Sequence, residues 1–162
     1  RSIHFNSNSN WEEDPNLSNN YVGAFQKTGK GSQNVTCIPF EPSHITFSAY
    51  ANVESLVLNS DNAVGNNNTG IANSFGSMTG FARNDGSNIT EQVIYVGGSG
   101  NSINDISRFA SNNHCIGLRY SNQNGNNLGI TSATVTSFNS DGFTLNTDSF
   151  ADGIVVIYQA YR

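Results

Sequence analysis

Residues 154–158, Ile-Val-Val-Ile-Tyr, are apolar at five consecutive positions near the end of the chain. A strand with one wet face alternates apolar and polar side chains, whereas an unbroken run of branched and aromatic residues asks for cover above and below. The run therefore predicts a closing strand shielded on both faces inside a layered β-structure. Shorter β-patterns recur upstream at 21–28, 34–40, 44–51, 54–58, 71–83, 89–98, 114–120, 130–138 and 142–147, and the closing strand spans 154–161. Turn signals separate them, among them Asp85-Gly86, Asn124-Gly125 and Asp141-Gly142. Residues 99–113 hold the one place where a helical turn fits, because Ile103, Ile106 and Phe109 are spaced by three.

Short strands joined by tight turns, with no helix long enough to cross a sheet, define the fold class. It is all-β: an antiparallel jelly-roll-like β-sandwich of about ten strands with little or no helix. Residues 20–162 form one such domain. Residues 1–19 read as an Asn/Ser-rich linker or N-terminal arm, and Arg1 in place of Met leads us to expect a piece of a longer chain.

Charged residues make up only 12% of the chain, where about a quarter is usual. Asn, Ser, Thr and Gly replace them, and these favour turns and β-surfaces over helices. The net charge of -5 and the lack of any basic cluster argue against nucleic acid. No stretch approaches the roughly 20 apolar residues of a membrane-spanning helix. Basic residues are absent between Lys30 and Arg83, which suits an extracellular or virion-surface location exposed to trypsin-like proteases. Cys37 and Cys115 lack the spacing of a zinc site. They are either buried free thiols within strand patterns, adjacent or not, or one disulfide.

Catalytic signatures are missing from the sequence. His4, His44 and His114 are scattered, no nucleophile elbow occurs, and Gly23–Gly31 misses the phosphate-loop spacing. Most acids that could pair for glycoside hydrolysis, such as Asp85, Asp141 and Asp152, precede Gly in turns. Residues 59–68 offer a metal only Asp61 and amides, so we expect neither metal nor cofactor, and no enzymatic activity. Sugar binding needs planar amides, short hydroxyls and an aromatic face. That inventory sits in three loops, giving candidate ligand residues Asn66, Asn67, Asn68, Asn84, Asp85, Tyr120, Asn122, Asn124, Asn126 and Asn127.

The segment "SATVTSFNSDGFTLN" followed by "GIVVIYQAYR" resembles the close of small β-sandwich domains at the tips of phage and prophage tail fibres and related surface fibres. The upstream "YVGAFQKTGKGSQNVTCIPFEPSHITF", with Phe40, Pro42, Ile45 and Phe47, is similar to their opening strands. The resemblance implies a non-enzymatic receptor- or carbohydrate-binding tip domain, in a homotrimer, that attaches to a glycan or other receptor on a host surface. In such a trimer Val155, Ile157 and Tyr161 would lie at the subunit contact. The competing expectation is a structural trimerisation, capsid-decoration or filament subunit without a ligand.

Overall fold

Alternation of apolar and polar residues sets where the backbone extends, and Gly, Asn and Asp set where it turns. The computed structural model describes residues 3–5, 11–13, 19–57, 61–65 and 69–162. Among them are twelve strands and no helix. Strands β1 (Ile3–Phe5) and β2 (Trp11–Glu13) pair as an antiparallel hairpin of their own, so the segment expected to be an arm contains local β-structure.

The other ten strands form two antiparallel sheets. β3 (Asn20–Lys27), β5 (His44–Tyr50), β6 (Ser74–Asn84), β7 (Ile89–Ser99), β8 (Ile106–Ser111) and β12 (Ile154–Tyr161) make a six-stranded sheet in the order β3-β12-β5-β6-β7-β8. β4 (Gly31–Val35), β9 (Ile116–Ser121), β10 (Asn127–Asn139) and β11 (Gly142–Ser149) make a four-stranded sheet in the order β4-β11-β10-β9. The expected β-sandwich is the observed fold. Its core lies between the sheets, with Phe25, Phe47, Val93, Val156 and Tyr158 from one and Leu118, Val135, Phe143 and Leu145 from the other.

The Asp85-Gly86 hairpin forms as read, closed by Asp85 N–H donating to Asn88 O at 2.8 Å, with Gly86 at φ +92°. The second turn joins Asn139 to Gly142 across β10 and β11. Three expectations are corrected. Residues 106–111 form strand β8, not a helical turn: Phe109 pairs with Tyr95 and Ile106 with Gly98, and the three-residue spacing has no helical meaning. Residues 54–57 are loop. Finally, β12 is covered within its sheet by β3 and β5, but it is shielded on one face only. Ile154, Val156, Tyr158 and Ala160 point into the core, while Ile157 is 56% exposed on the outer face. Both cysteines are free thiols outside the strands: Cys115 is buried as expected, whereas Cys37 is exposed, because β4 ends at Val35 before reaching it.

Candidate functional site

The strand order sorts the connections into two ends. At one lie the β6–β7 turn, the β10–β11 turn and Arg162. At the other lie the loops at 51–73, 100–105 and 122–126 and the turn at 150–153, since Ser74 Oγ donates to Ser121 O at 3.1 Å and Thr131 Oγ1 donates to Asp152 O at 2.8 Å. Residues 51–73 join β5 and β6, neighbours that a turn of a few residues could connect. Its described residues, 51–57, 61–65 and 69–73, form neither strand nor helix, and connections of such length tend to carry function.

Short-range polar contacts shape this loop. Asp61 Oδ2 accepts from Glu54 N–H at 2.5 Å and Ser55 N–H at 2.8 Å, which ties Asp61 to the start of the loop. Asn52, at φ +70°, accepts from the Thr69 N–H and hydroxyl at 3.1 and 3.2 Å. Gln26 Nε2 donates to Glu54 O at 2.6 Å and Val155 N–H to Val53 O at 3.1 Å, which anchor the loop to β3 and β12. Asp152 is buried beneath it, accepting from Ile71 N–H at 2.7 Å and Gly153 N–H at 2.9 Å. The result is an open cleft of about 450 Å³ lined by Gln26, Thr28, Glu54, Asp61, Thr69 and Phe150, with Ser55 and Gly153 completing it.

Gly70 makes the packing of two acids possible. It sits at φ +54°, and a Cβ there would come within 1.9 Å of Glu54 Oε1 and 2.2 Å of both Asp152 carboxylate oxygens. Glu54 and Asp152 are therefore adjacent, and a protonated Glu54 can donate to its neighbour. Burial first, then the Asp152 hydrogen bond and the charges of Asp152 and Asp61, push Glu54 up to about 7 from the usual 4.5. Between those values the folded chain holds a proton that the unfolded chain releases, so stability falls as pH rises through this window. The carboxyl is partly open to solvent, which limits the change to about 1 kcal/mol. Asp85 and Asp148 are held below the ordinary range and stay ionised throughout the window. Glu91, also raised by burial, adds a slope of the same sign, so thermal melts from pH 4.5 to 8 should show a downward slope in wild type that Glu54→Gln reduces, most clearly toward pH 7. An unchanged slope in that variant would assign the pH dependence elsewhere.

The predicted ligand residues are not gathered in one place. Asn66, Asn67 and Asn68 lie outside the described residues. Asn84 and Asp85 stand at the end of the sandwich opposite the cleft, where Asp85 pairs with Arg83 at 2.9 Å and Asn84 Oδ1 accepts from Gly86 N–H. Asn122, Asn124, Asn126 and Asn127 share the cleft's end. Asn122 Oδ1 accepts from the N–H groups of Asn124 and Asn126, and Asn127 Oδ1 from Gly129 N–H, so these two amides build their own turn. Tyr120 is corrected: it is fully buried in the core and offers no ring face to a ligand. It shares the core face of β9 with Ile116 and Leu118, which are fully buried too. Sequence reasoning missed Gln26, Glu54 and Phe150, which come from three distant segments and meet only in the fold.

A second polar cluster links Ser111 Oγ to His114 Nδ1 at 2.8 Å and His114 Nε2 to Asp148 Oδ2 at 2.6 Å. These are the residue types of an acyl-transfer triad, but Ser111 Oγ also donates to Asn113 Oδ1 at 2.6 Å. A hydroxyl proton directed at Asn113 is not taken up by the imidazole. Ser132 Oγ donates to Asp148 Oδ1 at 2.6 Å, so the cluster ties the β8–β9 connection to β10 and β11. No group of three or more His, Cys, Asp or Glu among the described residues is placed to hold a metal ion. No family model matches the chain, and neither does any curated protein or solved structure.

Proposed function

We propose that this chain is a non-enzymatic attachment module: the receptor-binding tip domain of a trimeric fibre on a virion or cell surface, which takes a host-surface glycan in the cleft between the β5–β6 loop and the 150–153 turn. The observation that supports it is the lining of that cleft. Gln26 supplies its amide oxygen and the N–H not given to Glu54, Thr28 a hydroxyl, Thr69 a hydroxyl oxygen that accepts, Asp61 its Oδ1, and Phe150 an aromatic face for the apolar side of a sugar ring. The opening is shallow and wide, which suits a pyranose at the end of a longer chain. One such contact is weak, and several copies on one fibre raise avidity through effective concentration.

The test is a glycan array followed by titration of the strongest hit. Phe150→Ala and Thr69→Ala should each weaken binding about tenfold or more, while Asn84→Ala at the opposite end leaves it unchanged. Equal affinity of the Phe150 variant, or no hit from the assembled protein, would remove the reading. One observation favours the alternative of a structural subunit: the outer face of the six-stranded sheet is apolar and exposed, as expected of a surface meant for other copies. Under that reading cleft substitutions leave host attachment untouched.

A further inference from the structure

Outward positions of the six-stranded sheet carry Val22, Tyr50, Phe75, Ile94, Val96 and Ile157, each more than half exposed, with Ile106 beside them on β8. Strand register places Ala24, Ile157, Ser48, Thr79, Ile94 and Ala110 in one row straight across the sheet. The exposed surface of the seven large side chains comes to roughly 700 Å², above the few hundred that an isolated monomer tolerates and close to the ~800 Å² each partner gives a standard interface. Two depressions of about 270 and 240 Å³, flanking Thr79 and Ile94, leave room for the side chains of a facing molecule.

Charge identifies the occupant. Strand alternation assigns no Asp or Glu to an outward position of these six strands, although the chain as a whole carries a net -5. The two cations there are Arg83, which is paired with Asp85, and Arg108. Two copies approaching by any acid-bearing face would bring like charges together, and this face avoids that. A strongly charged partner, conversely, would find little to pair with.

We propose that copies of this chain associate through the outer face of the six-stranded sheet, with Ile94, Val96 and Ile157 at the centre of the contact. This deepens the oligomeric part of the reading above by naming its surface, and it is independent of the cleft. It also explains why β12 is apolar on both faces: one covers the core and the other meets a neighbouring copy. Of the sequence-predicted contact residues, Ile157 is central, whereas Val155 and Tyr161 are half-buried toward the strand's two ends.

Sedimentation velocity between 1 and 100 µM tests it. Wild type should sediment as an assembly of 17.4 kDa chains, and the double variant Ile94→Glu, Ile157→Glu as a monomer with unchanged circular dichroism. Should that variant misfold, Ile94→Thr with Ile157→Thr keeps β-propensity and should weaken association about 100-fold. Val64→Glu, in the β5–β6 loop, should leave the mass as in wild type. A monomeric wild type at 100 µM overturns the proposal, as does an assembly that survives the sheet-face substitutions or dissociates equally on the loop substitution. Failure here is separable from failure of the cleft: the monomeric variant should still bind glycan at single-site strength, and Phe150→Ala should still assemble.

Discussion

Replacing Gly80 by alanine is expected to destabilise the domain by about 3 kcal/mol or more, the range of severe overpacking in a core. Gly80 lies in the middle of β6, on its core-facing side, where the six-stranded sheet approaches the backbone that leads into β9 of the other sheet. A Cβ at this position would stand 2.0 Å from the carbonyl oxygen of Cys115 and 3.1 Å from that of Gln92. Both obstacles are backbone and neither can swing aside. Cys115 is fully buried and its N–H donates to Ala133 O at 3.0 Å, so moving it strains the β10 pairing too. The constraint is close approach and not backbone angle, so any side chain should fail, and serine no less than alanine. Urea denaturation of the Gly80→Ala variant checks this, and a midpoint within error of wild type would mean that the two sheets are farther apart at this crossing.

The second large effect concerns Phe143. Its ring is fully buried and meets Tyr158 at 5.5 Å, Phe47 at 5.8 Å and Phe25 at 6.1 Å between centroids, each steeply inclined to it. Phe143 belongs to the four-stranded sheet and its three partners to the six-stranded sheet, so this edge-to-face cluster joins the layers. Phe143→Ala removes the shared member and leaves a cavity that three rings cannot collapse into, which should cost about 3–5 kcal/mol. Phe75→Ala offers the contrast, because that ring stands on the outer face, 55% exposed, and its loss should cost less than about 1 kcal/mol in the isolated chain. Equal losses in the two variants would contradict the division into core and outer face.

What the sequence revealed follows from how local each signal is. The Asp85-Gly86 and Asp141-Gly142 turns are written in adjacent residues, and both hairpins form where those residues stand. The closing strand was legible for the same reason, though its exposed face was not, since a run of apolar residues does not say what lies beyond the sheet. Strand β8 was misread because its inward residue Ser107 is polar and buried, which hides the two-residue alternation. Small hydroxyl residues elsewhere in the interior, among them Ser74, Thr131, Ser132 and Thr147, blur the pattern in the same way. Residues 54–57 looked like a strand from their apolar content, yet Asp61 captures two of their N–H groups and bends them into a loop.

The cleft was illegible because its members are scattered. Gln26, Glu54, Asp61, Thr69 and Phe150 are brought together only by the pairing of β12 with β3 and β5. The amides that were legible fall partly at the opposite end of the sandwich, at Asn84 and Asp85, and partly in the turn that Asn122 and Asn127 hold closed. An Asn-rich loop is first a turn-building device, and its side chains are available to a ligand only where the backbone has not already used them.

The most direct measurement is a chemical-shift titration of the isotopically labelled protein with the glycan it binds. The account predicts that perturbed amides cluster at Gln26, Glu54–Val57, Asp61, Thr69–Ile71 and Phe150–Gly153, with none in the Asn84–Asn88 hairpin. Perturbations centred on that hairpin or on the outer sheet face, with the cleft silent, would contradict it.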